Sequence, residues 1–256
     1  MRFLGQNYNG LSVQDIFAAA QSGRRGKFCS ITFDDGLMDQ YEYALPILNK
    51  YSLPAAFFII TSTLHGELPL AHKIHLLLSR FPVIDLISIF NAHLKESYPD
   101  LYDVYFIPTD RRLNSRRQHE DTATSNFKET LIVTPEDIKR RFLQYCFRKL
   151  SLDVDGLAKR MFMTPAEIKK VFDEGMTIGS HSHSHESPDT ITREEFSREV
   201  KRSNQILKGI IGRKVNLFSY PHGRHTNYAV ETLKESGFDF AFTIERRAIS
   251  SRDSPF

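Results

Sequence analysis

Lys27-Phe28-Cys29-Ser30-Ile31-Thr32-Phe33-Asp34-Asp35-Gly36 is a mostly apolar run that ends abruptly in two carboxylates and a glycine. Lys27 to Phe33 has the length and the β-branched and aromatic content of a short buried strand, and Asp-Gly marks a sharp turn at its end. A helical pattern follows over about Met38 to Tyr51, then a second apolar strand over Ala55 to Thr61. Strand, helix, strand implies a parallel βαβ unit. The alternation resumes after position 175, with a strand near Met176 to Gly179, a long amphipathic helix from about Arg193 to Ile211 and a strand near Val215 to Ser219. A helix over Tyr228 to Ser236 and a strand over Phe238 to Thr243 complete it. The expected class is α/β, with the site at the C-terminal ends of the strands.

Between these halves the character changes. Leu76 to Phe90 is apolar with helical spacing, Thr109 to Thr130 is polar and basic, and Pro135 to Leu150 is helical again. The expected organisation is one domain over 1–256 with a mostly helical insertion at about 65–163. Arg111 to Asn126 has no hydrophobic periodicity and reads as a mobile loop. Thr164-Pro165-Ala166-Glu167 is a helix start: Thr as N-cap, Pro at the first helical position and Glu at the capping-box position.

With 256 residues, 41% of them hydrophobic and 25% charged, the chain can bury a full core. Its formal net charge of +3 is spread along the sequence apart from Arg111-Arg112 with Arg116-Arg117, so nucleic acid is not an expected partner. No run approaches the roughly 20 apolar residues of an integral membrane segment. Met1 to Asn7 has no apolar leader core or cleavage site, and Cys29 and Cys146 have no CxxC context, so the expected compartment is the reducing cytoplasm.

Chemistry enters with Ile178-Gly179-Ser180-His181-Ser182-His183-Ser184-His185. His181 and His185 would converge on one face of a helical turn, whereas an extended strand would put all three histidines on one face. Two imidazoles and a carboxylate make a three-ligand site that keeps a position open for water. Adjacent carboxylates diverge on an extended backbone, so one of Asp34 and Asp35 can bind a divalent cation while its neighbour acts as general base. Ser182 or Ser184 could fix an imidazole tautomer. Phe218-Ser219-Tyr220-Pro221-His222-Gly223 ends another strand in a turn that can aim the His222 amide at a developing oxyanion, with Tyr220 and His222 otherwise wall residues.

TFDDG at 32–36, HSHSH at 181–185 and FSYPHG at 218–223, in that order, resemble the motifs of the polysaccharide deacetylase family, also called carbohydrate esterase family 4 or the NodB-homology domain. The likeness covers about 27–63 and 164–244. It implies a distorted (β/α) barrel and metal-dependent removal of an N-acetyl group from a sugar. By position, Asp34 would be the base and Asp35, His181 and His185 the metal ligands. The His222 amide would serve the oxyanion, and Tyr220, Pro221 and His225 would contact the substrate. Zinc is the first choice of metal, with Co2+, Ni2+ or Mn2+ also suited. The chain departs from the family in three places: Ser219 stands where an Arg often tethers the base, there is no Trp for an aromatic-rich fourth motif, and no His follows His225 to act as the late acid. His222 and His225 are the candidate substitutes. The expected partner is an N-acetylated saccharide or sugar-linked precursor of a surface polysaccharide, such as the lipopolysaccharide O-antigen. A metal- and saccharide-binding protein without turnover, and a non-sugar amide hydrolase, are the alternatives. Oligomeric state is left open.

Overall fold

The computed structural model describes residues 1–115, 117–151, 153–245, 248–250, 253 and 255. They fall into two compact units, Met1–Glu67 with Asp155–Phe256, and Leu68–Val154.

The first unit carries a short parallel ribbon of β1 (Asn9–Gly10) and β2 (Phe28–Cys29), and a parallel sheet of β3 (Ile31–Phe33), β4 (Ala55–Ile59), β5 (Thr177–Ser180), β6 (Leu217–Ser219) and β7 (Phe240–Phe242). The strand order is sequential, β3-β4-β5-β6-β7, and every neighbouring pair is parallel. This is the curled open sheet of a distorted (β/α) barrel, and the helices Leu45–Lys50, Pro165–Asp173, Arg193–Ile211 and Asn227–Glu235 return the chain between strands. All five residues of β4 are buried, as a parallel strand covered on both faces requires. Phe33 stacks on Phe57 at 4.9 Å between ring centroids. Gly179 is dictated by packing, because a Cβ there would lie 2.5 Å from the Phe58 ring and 3.0 Å from the Leu217 carbonyl.

Helix Arg193–Ile211 shows why its segment folds as it does. The capping box of Thr192 and Glu195 starts it, left-handed Gly212 ends it, and Phe196, Val200, Ser203, Leu207 and Ile211 form its buried stripe. Phe196 packs edge-to-face on Phe218 of β6, so truncating either ring would cost about 3–5 kcal/mol. The predicted capping box at Thr164 is present, ahead of helix Pro165–Asp173.

The second unit is helical, with a core of Leu77, Leu86, Phe90, Leu94, Phe127, Leu131 and Phe142 among others. Its main helices are Leu70–Leu78, Val83–Ser97, Thr122–Val133 and Glu136–Leu150.

Several expected elements differ. The strand at 27–33 is two strands, broken at Ser30 as pairing passes from the ribbon to the main sheet. The strand expected to reach Thr61 stops at Ile59, and Thr61–His65 coils into a 3-10 turn. The apolar stretch 76–90 is parts of two helices, because Pro82 cannot continue the first and caps the second. The expected mobile loop at 111–126 is tied down. Thr122 to Asn126 belong to a helix, and buried Asn126 donates to the carbonyls of Pro108 and Arg111 and accepts from the Leu113 amide. Arg112 donates to the carbonyls of Arg117 and Glu120, and Arg117 pairs with Glu129, so these cations of the basic cluster serve internal contacts. Arg116 lies outside the described residues.

Candidate metal centre

The chain leaves β3 at Phe33 and turns through Asp35 and Gly36, both left-handed at φ 75° and 74°. The turn is clamped. Met163 donates its amide to the Gly36 carbonyl at 2.9 Å, and Gln40, from a π-helical turn over Gln40–Ala44, donates its side-chain amide to the Asp34 carbonyl at 2.5 Å. Asp34 is exposed and Asp35 half-buried, so the turn separates the two carboxylates. Among the described residues the Asp34 carboxylate makes no hydrogen bond or ion pair.

After β5, His181 to His185 are neither helical nor extended. Ser182 at φ 68° and His185 at φ 66° break the path twice, bringing His181 and His185 together while His183 engages Thr61 Oγ1 through Nδ1 at 2.8 Å. Burial holds the His183 imidazole below its ordinary pKa. The loop is fastened to the end of β4, where His181 donates its amide to the Ile59 carbonyl and Ser62 donates to the His183 carbonyl. It is fastened also to helix Arg193–Ile211 through Glu199, whose Oε2 accepts from Ser182 Oγ at 2.7 Å, His183 N–H at 3.1 Å and Ser184 N–H at 2.7 Å.

His181 Nδ1 lies 2.7 Å from the Ser219 carbonyl oxygen. A carbonyl only accepts, so Nδ1 carries the proton and the lone pair of the neutral ring sits on Nε2. That Nε2 is 3.2 Å from His185 Nε2, and Asp35 Oδ1 is 3.5 Å and 3.7 Å from the two nitrogens. All three ligand atoms lie within 4.8 Å of one another. Tetrahedral ligands about 2.0–2.2 Å from zinc are themselves about 3.3–3.6 Å apart, so the donor set fits a divalent ion without rearrangement.

The remaining expected site residues spread out. The His222 ring packs 4.6 Å from the His185 ring, and its backbone, at φ 58°, sits in a turn that Gly223 closes by donating to the Tyr220 carbonyl. Tyr220 and Pro221 are buried, and Tyr220 belongs to the core, where burial raises its hydroxyl pKa. His225 is exposed, its ring 5.5 Å from that of Tyr220. The tautomer-fixing partner expected from Ser182 or Ser184 is, for His181, the Ser219 carbonyl; Ser182 bonds Glu199 instead. Glu199 and Thr61 escape a reading of the sequence, since each contacts the loop across a long sequence gap.

Of six non-glycine residues with positive φ among those described, four are Asp35, Ser182, His185 and His222. Such a conformation costs about 1–3 kcal/mol per residue and persists only where surrounding contacts enforce it.

The sequence profile of the polysaccharide deacetylase family matches residues 21–75 and 124–241, reaching further into the middle of the chain than the three motifs do. Over 79 residues the chain is 32% identical to the peptidoglycan-N-acetylmuramic acid deacetylase PdaA of Bacillus subtilis (strain 168), and over 98 residues it is 24% identical to YxkH of the same strain. The first match covers 30% of each protein; the second covers 38% of this chain and 35% of the relative. Among solved structures, the deacetylase PplD of Streptococcus pyogenes superposes with a TM-score of 0.55 at 15% identity, covering 99% of this chain and 80% of that one. The deacetylase domain of BpsB from Bordetella bronchiseptica gives 0.56 at 14% identity, covering 99% and 78%. At such identities the structural likeness concerns the fold. The profile match, which spans well over half of the sequence, shows that the chain belongs to the polysaccharide deacetylase family.

Proposed function

We propose that the protein is a metal-dependent hydrolase that removes an N-acetyl group from a saccharide. The observation that carries this is the convergence of Asp35 Oδ1, His181 Nε2 and His185 Nε2 where β3 and β5 end. When bound there, a divalent ion, zinc first, supplies Lewis-acid polarisation of the acetyl carbonyl and acidifies the attacking water. Asp34, adjacent in sequence and open to solvent, takes the proton from that water as general base. The His222 backbone amide donates to the oxyanion of the tetrahedral intermediate. The half-buried His222 ring beside His185 and the exposed His225 are the groups available to protonate the leaving amine.

The saccharide is a sugar-linked precursor of a surface polysaccharide such as O-antigen in the narrowest form of the reading, which places the enzyme in the cytoplasm. The whole of 1–256 then acts as one catalytic domain interrupted by the helical unit. The test is acetate release by zinc-loaded protein from N-acetylated nucleotide sugars and oligosaccharides, beside Asp34→Asn. Release that falls about 10²–10⁴-fold in the variant, with metal retained, supports the assignment. Equal release by both proteins removes Asp34 as the base.

A second reading, metal and saccharide binding without turnover, is favoured by one observation: the Asp34 carboxylate has no partner among the described residues to orient it. Binding of acetylated sugar with no acetate released would select it.

A further inference from the structure

We propose that Glu199 is a positioning residue of the Asp35, His181 and His185 centre, an inference that rests on that centre binding a divalent metal. Glu199 lies on helix Arg193–Ile211, one position from buried Val200 and one turn from buried Ser203, so it faces the end of β5 rather than open solvent. Its Oε2 alone receives three donors from consecutive residues, the Ser182 hydroxyl and the amides of His183 and Ser184. One turn along the same face, Ser203 Oγ lies 2.6 Å from Ser180 Oγ, which accepts from the Ser182 amide at 3.2 Å. Ser203 and Glu199 thus grip the chain on either side of His181, at Ser180 and at Ser182 to Ser184.

The left-handed residues Ser182 and His185 flank the two backbone amides that Glu199 holds. Without a fixed acceptor there, the amides of His183 and Ser184 would have to find other partners, and the left-handed turns that bring His185 Nε2 to 3.2 Å from His181 Nε2 would relax. Glu199 bonds the intervening loop residues, so it shapes the centre by fixing the loop between two ligands.

Because all three donors converge on one oxygen, the amide carbonyl of a glutamine can replace that oxygen, whereas an aspartate carboxylate, one methylene shorter, falls short of it. A purely electrostatic role would give the opposite ranking, with aspartate the better replacement.

The full chain, stripped of metal, is titrated with zinc against a competing chromophoric chelator as the parent, Glu199→Gln, Glu199→Asp, Glu199→Ala and His181→Ala. The temperature is kept below the unfolding midpoint of each metal-free protein. The expected result is a loss of about 10–100-fold in zinc affinity for Glu199→Ala and Glu199→Asp, with Glu199→Gln within about fivefold of the parent. Glu199→Asp tighter than Glu199→Gln, or all three near the parent while His181→Ala is weakened, overturns the role of Glu199 and leaves the centre standing. A parent without zinc affinity, or a His181→Ala as tight as the parent, overturns both. If Glu199→Ala does not fold, the order of the Gln and Asp variants decides.

Discussion

The candidate metal centre and the helical unit at 68–154 both hold polar side chains wholly or partly out of solvent, and they do it in opposite ways. In the helical unit donors meet acceptors: Arg117 Nε on Glu129, Lys128 on Glu120, and Asn126 on two carbonyls and an amide. At the centre, the lone pair of His181 Nε2, a carboxylate oxygen and a second imidazole nitrogen face one another, and the backbone that brings them together is left-handed at Asp35 and His185. A matched network needs nothing added. Three ligand atoms gathered by left-handed backbone are the arrangement a bound cation would use, and that contrast is what sets the candidate centre apart from the helical unit's contacts.

The contrast can be broken at either end. His181→Ala removes a proposed ligand and is expected to lower zinc affinity by more than the roughly 10–100-fold typical of losing an outer partner, with a smaller fall in the thermal midpoint of the metal-free protein than Asn126→Ala gives, since one backbone carbonyl rather than three backbone groups loses its partner. Chelator competition and calorimetry read the two quantities, and an unchanged zinc affinity would make the convergence accidental. Asn126→Ala should do the reverse, lowering stability by about 2–3 kcal/mol because three backbone groups lose a buried partner, while zinc affinity holds. A parallel fall in metal affinity would erase the distinction drawn here. Ser182→Ala takes one of three donors from Glu199, and a few-fold weakening of zinc binding, about 1 kcal/mol, is expected from the same titration.

The smallest effect is one of pH. Burial, and then the nearby Arg141, hold the His93 imidazole of the helical unit below its ordinary pKa, with Glu96 opposing. The unfolded chain therefore binds more protons than the folded one between that depressed value and about pH 6.5. Stability rises with pH through this window, is lost on acidification across it, and is unaffected by this group once the pH is below the depressed value. The thermal midpoint should drop from about pH 7 toward pH 5, and His93→Gln should flatten that slope; an unaltered slope would place the acid sensitivity elsewhere.

Those elements whose signals are local could be read from the sequence. The helix at 193–211 carries its own cap, its own stop and a regular apolar stripe, and it forms over the expected residues. The convergence of Asp35, His181 and His185 was legible because their motifs sit at strand ends, and topology gathers the ends of parallel strands in one sheet. Failures occurred where a distant side chain decides the outcome. Arg111 to Asn126 reads as a mobile loop until buried Asn126 is seen to gather the backbone at 108, 111 and 113. Glu199 resembles any glutamate of an amphipathic helix, because nothing in its neighbourhood along the chain shows that three donors will arrive from residues 15 to 17 positions away. The histidine loop itself could not be chosen between helix and strand, since its two left-handed residues are serine and histidine rather than glycine.

The placing of the helical unit between β4 and β5 bears on how the chain assembles. These adjacent strands pair Ala56 with Thr177 and Ile59 with Ser180, so closing the sheet means joining positions separated by nearly half the sequence. Loop-closure entropy rises only logarithmically with the length of free chain, and a segment that has already condensed on Phe90, Phe127 and Phe142 no longer counts as free chain. If the helical unit condenses first, less free chain remains to be closed when Ile59 receives the amide of His181.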